Sequence, residues 1–142
     1  MRDLAELRHL EAICQAKYDQ QRQSFLRIKT EESRLRRELE RLDHMARQAN
    51  DASTRTGVMR AVGADIMWQA WIGRSKNELN LKLAQVLAIK DQQLAQVRQA
   101  FGKLQVAQEL IASVQKNQRK RRDQSQMELA IDIALLRQRG DQ

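Results

Sequence analysis

The chain has 142 residues, no proline, 4% aromatic and 31% charged residues, and a formal net charge of +8. This balance excludes an ordinary aromatic-rich globule, and apolar runs of only a few residues exclude a membrane-spanning helix. A single cysteine excludes an internal disulfide, and Met1 is followed by a mixed-charge stretch with no signal-peptide pattern, so a reduced, cytoplasmic, one-domain protein is expected.

The first element is predicted as a helix over 3–52. Asp3 followed by Glu6 has the spacing of a capping box. A heptad then runs in one phase, with Leu4, Glu11, Tyr18, Phe25, Glu32, Leu39 and Ala46 at a and Leu7, Cys14, Gln21, Ile28, Leu35, Leu42 and Ala49 at d. Most of these are apolar, and so long a stripe in one phase is the signature of a coiled coil. Glu32/Arg36, Arg36/Glu40 and Asp43/Arg47 are spaced to pair along the outer faces.

Residues 53–64 are predicted as the turn. Gly57 and Gly63 supply permissive backbone, and Ser53, Thr54 and Thr56 are weak helix formers. Just beyond lie Ile66, Met67, Trp68, Trp71 and Ile72, more apolar surface than a two-helix seam covers. Trp68 falls at g and Trp71 at c, read as opposite sides of the seam residue Ile72. At least one indole is then wet unless the turn, Val58 to Val62, or a partner covers it.

The return helix is predicted over 65–138. Its d positions are Ile72, Leu79, Val86, Gln93, Ala100, Ala107 and Val114, and its a positions are Lys76, Leu83, Lys90, Val97, Leu104 and Ile111. Two such helices joined by a short turn form an antiparallel hairpin. The fold class is therefore all-α, a long two-helix coiled-coil hairpin with a projecting C-terminal extension. Pairing large residues with small ones selects a register in which facing numbers total 125, so that Tyr18 meets Ala107, Phe25 meets Ala100 and Glu32 lies beside Gln93 with Lys90 one layer away. Sliding one heptad, to a total of 118, is the rival.

In the first register residues 125–142 have nothing intramolecular to pack on, although Met127, Ile131, Ala134 and Leu135 form an apolar stripe with Ile133 and Leu136 close by. Folding back, self-association or docking in another protein would each cover it. The densest basic run, Arg119, Lys120, Arg121 and Arg122 after Lys116, favours an anionic partner. Too few heptads follow it for a basic zipper, and no aromatic residue lies in it for base stacking, which argues against nucleic acid.

No catalytic or cofactor-binding constellation is present. His9 and His44 fall at f and are too far apart to share a metal, Cys14 sits in the seam as a small core residue, and no phosphate-binding glycine motif occurs. Hence neither an enzyme, nor a cofactor, nor a metal, nor a small-molecule substrate is expected.

In topology, and in the five residues Trp68-Gln69-Ala70-Trp71-Ile72 opening the second arm, the chain resembles the FliJ/YscO family of stalk proteins from flagellar and virulence-type protein export machines. It departs from that pattern at Gly73 and Ser75. The resemblance implies a non-enzymatic central stalk or adaptor that couples a hexameric export ATPase to the cytosolic domain of the export gate and handles export chaperones, peripheral to the membrane at most. It would put Arg119, Lys120, Arg121, Arg122, Ile131, Leu135 and Leu136 at the ATPase ring and Trp68, Trp71 and Ile72 at the gate. The alternatives are a self-associating structural coiled coil and, third, a basic nucleic-acid-binding helix.

Overall fold

A computed structural model describes residues 2–55 and 62–141, with side chains for 4–51 and 63–141. It contains two helices, α1 over Arg2–Arg55 and α2 over Val62–Gly140, packed against each other as an all-α hairpin, with no strand among the described residues. Both helices run past their expected ends. Ser53 and Thr54 stay in α1 and Gly63 joins α2, because extending an existing helix needs no new nucleus and weak formers are carried along. Gly57, Thr56 and Val58, assigned to the turn, lie outside the described residues.

The heptads identify the seam. Each of the fourteen a and d positions of α1 and the thirteen of α2 is buried or half-buried. The chain nevertheless packs as two compact units, Asp19–Arg98 and Met1–Tyr18 with Gln99–Gln142.

In the Asp19–Arg98 unit, Leu35, Leu42, Ile72 and Val86 are buried, and Leu35 is almost wholly removed from solvent, at 1% exposure. One carboxylate joins them. Glu32, 8% exposed, accepts from Lys90 Nζ at 2.8 Å and from Arg36 at 3.1 Å. A buried charge is tolerated only when paired in this way. Further along, Lys76 bridges to Asp43, and Gln69 Nε2 donates to Asn50 Oδ1 at 3.3 Å. Partners rise on α2 as they fall on α1, which makes the pairing antiparallel. On the outer surface Arg34 binds Glu31 at 2.5 Å and Glu38 at 2.6 Å.

In the other unit, Ala100, Leu104, Ala107 and Ile111 of α2 are buried, and Leu4, Leu7, Glu11, Cys14 and Tyr18 of α1 are half-buried. The Tyr18 and Phe101 rings lie 5.6 Å apart, tilted by 50°.

These pairs correct the register. Glu32 reaches Lys90 rather than lying beside Gln93, and the ring against Tyr18 is Phe101, six residues before the expected Ala107. The pairing thus lies near the register slid by one heptad. The reason is the connection: α1 ends at Arg55 and α2 begins at Val62, so those two ends lie opposite each other and set the level of everything that follows. Large-to-small matching in the seam is the weaker constraint. Gln93 is left with its Oε1 buried and unpartnered.

Candidate functional site

Among the described residues, a tryptophan pair in one unit and the end of α2 in the other are exposed. In the Asp19–Arg98 unit the surface is a tryptophan pair. Trp68 and Trp71 stack with ring centroids 5.2 Å apart and planes at 24°. They do not lie on opposite sides of Ile72. Residues three apart on a helix are neighbours, and g and c fall on the same flank of the seam. The stack is exposed, Trp68 at 37% and Trp71 at 44%, whereas Ile72 is 4% exposed. Ile72 is therefore a seam residue that fixes the helix under the indoles and shows only at the groove beside Trp68.

Each indole borders a groove. Trp71, Met45, Leu42 and Leu79 line an open cleft of about 440 Å³ rimmed by Glu38, Arg41, Glu78 and Lys82. Trp68 lines a smaller one of about 220 Å³ with Ala46, Ala49, Ile72 and Lys76. Beside the stack Ile66 and Met67 are 63% and 75% exposed. Flat aromatic surface above an apolar cleft with a charged rim is suited to anchoring a protein partner. The local electrostatics are settled within the unit: the hydrogen bond from Lys76 holds Asp43 below the usual carboxylate range, and those from Lys90, then Arg36, do the same for Glu32.

In the Met1–Tyr18/Gln99–Gln142 unit the surface is the end of α2. From Arg119 to Asp141 every residue is exposed. The uncovered segment begins six residues earlier than expected, which follows from the corrected register, and so takes in the whole basic run Arg119–Arg122. Met127, Leu129, Ile131, Ile133, Leu135 and Leu136 are each at least 48% exposed. At 100° per residue they form two stripes: Met127, Ile131 and Leu135 on one face, and Leu129, Ile133 and Leu136 on the opposite one. Ile133 and Leu136 are thus not an edge of the first stripe. Counting one amphipathic face misses the second, which shows only when both sets are placed on the same turn. A helix apolar on two opposed faces is built to be enclosed rather than to lie on a surface.

The other residues singled out in the sequence fall where their heptad positions put them. His9 and His44 are exposed, and Cys14 is a half-buried free thiol. Among the described residues no group of three or more His, Cys, Asp or Glu converges on a point where a metal ion could sit. Among the described residues no helix is long and apolar enough to cross a membrane.

The class of protein that the fold defines is an all-α helical hairpin with exposed aromatic and apolar surfaces. Comparison with protein-family models, curated proteins and solved structures finds no match for this chain.

Proposed function

We propose that this chain is a non-enzymatic central stalk or adaptor of a flagellar-type protein export ATPase, linking the ATPase ring to the export gate and to export chaperones. The observation that carries the proposal is the exposed end of α2, a 22-residue helical stretch over 119–140 with a basic collar and apolar side chains on two opposed faces. A partner that surrounds such a helix, as the pore of a ring does, covers both faces at once. A partner with a single flat surface covers only one. In this role Ile131 and Leu135 contact one wall and Leu136 the opposite one, while Arg119, Lys120, Arg121 and Arg122 meet acidic groups at the entrance. Trp68 and Trp71 serve as the anchor toward the gate, and the resemblance to FliJ/YscO stalks in that segment supports this end of the assignment.

The test is reconstitution with an export ATPase. The full chain should co-elute with it and raise its oligomerisation and ATP turnover without hydrolysing ATP itself, and removal of residues 125–142 should abolish both effects while leaving thermal melting little changed. Full-length protein that leaves ATPase oligomerisation, activity and elution unaltered would refute the proposal.

A further inference from the structure

A second apolar surface in the Met1–Tyr18/Gln99–Gln142 unit is left open. Leu10, Ile13, Val106 and Leu110 are 44%, 53%, 55% and 45% exposed. On α1 they occupy g and c, and on α2 c and g, and in an antiparallel pair those edges of both helices share one side. The Tyr18–Phe101 contact sets their level: five residues back along α1 and five forward along α2 bring Ile13 opposite Val106, and Leu10 then stands within one residue of Leu110. The four make one patch. It has an electrical direction as well, with exposed Lys17 and Lys103 at one end and exposed Glu6 at the other, none of them in an ion pair among the described residues.

We propose that this patch receives the C-terminal helix of a second copy of the chain, laid parallel to α2 with Leu129, Ile133 and Leu136 over the four apolar residues. The tail of the same chain cannot reach the patch, because α2 runs unbroken to Gly140 with no glycine or proline between Lys103 and that residue. The direction follows from charge. Laid parallel, Glu128 and Asp132 come to the lysine end and Arg137 and Arg139 to the Glu6 end. Laid antiparallel, the arginines meet the lysines, and covering the patch sets residues 116–122 of one copy against 119–125 of the other, basic run on basic run. Like-charge juxtaposition of that density disfavours the closed antiparallel pair.

Parallel stacking is a translation and not a two-fold rotation. Association is therefore head-to-tail and open, producing a series of species instead of a dimer. Three side chains against four is a small contact for a specific interface, so the dissociation constant should be on the order of 10–100 μM. The face carrying Met127, Ile131 and Leu135 stays free. Nothing in this proposal depends on an export ATPase.

Sedimentation velocity over a concentration series at physiological ionic strength tests it. The weight-average mass of the full chain should rise past that of a dimer without a plateau. Replacing Lys17→Glu and Lys103→Glu together, both at exposed positions, should weaken association by about tenfold. Adding Glu128→Lys and Asp132→Lys to that variant should restore it, a rescue that loss of folding or of an unrelated contact cannot give. A monomer at all concentrations, a plateau at the dimer, or reversal variants that associate like the parent would each overturn the proposal. An intact ATPase interaction alongside any of these would leave the proposed stalk role standing.

Discussion

Leu35→Ala tests whether the two helices form one cooperative seam. Leu35 is 1% exposed between the two arms of its unit. Truncation to alanine removes about three methylene equivalents, roughly 2.4 kcal/mol of transfer free energy, to which the residual cavity adds. The seam is only two helices wide, and its neighbours Ile28 and Leu39 are half-buried, so part of the hole relaxes or wets and the cavity term stays small. The expected loss is about 3 kcal/mol, roughly a 150-fold fall in the ratio of folded to unfolded chain. Urea unfolding followed by far-ultraviolet circular dichroism should show a lower midpoint with an unchanged slope. Leu136→Ala is the matched control. The same chemical change at a side chain that is 67% exposed should alter stability by no more than about 0.5 kcal/mol. A Leu35→Ala loss below about 1 kcal/mol, or equal losses at the two positions, would refute the seam.

Other expectations follow from the same geometry. Gly73 and Gly102 sit inside α2 with nothing within 4 Å of where a Cβ would stand, so each replacement by alanine should stabilise the chain by about 0.5–1 kcal/mol, readable as a raised melting temperature. Glu32 is held below its ordinary pKa in the folded chain, chiefly by the Lys90 hydrogen bond. Its contribution is thus complete above the unfolded value near pH ~4.3 and is lost as the pH falls through the depressed folded value. Glu32→Gln should accordingly flatten the acid side of the melting temperature profile, and an unaltered acid limb would show that other carboxylates govern it. Trp68 and Trp71 should emit as solvated indoles and be quenched readily by acrylamide in the free protein. Their emission should shift to the blue when a gate-type partner binds, and blue-shifted, unquenched emission from the free chain would contradict their exposure.

The apolar stripes, the hairpin and the absence of an intramolecular partner for the end of α2 could be read from residue order, because burial in a coiled coil follows a seven-residue period that the spacing of apolar residues sets. The register could not. The period is blind to a slide of one heptad, since every seam position falls again on a seam position, and matching Tyr18 to Ala107 by size gives the wrong level. The relation of Trp68 to Trp71 was legible in principle from their spacing, and their stacking corrects a misjudged angle on the helical wheel. Glu32 illustrates the division: its place in the seam is fixed by the heptad, whereas its partner, Lys90 in preference to Gln93, depends on the level at which the arms meet. That level is set by where α1 ends and α2 begins, a constraint between residues distant in sequence. Only the folded chain brings those ends together, and the tertiary structure thereby decided which charges pair, where the uncovered tail begins, and which apolar side chains share an open face.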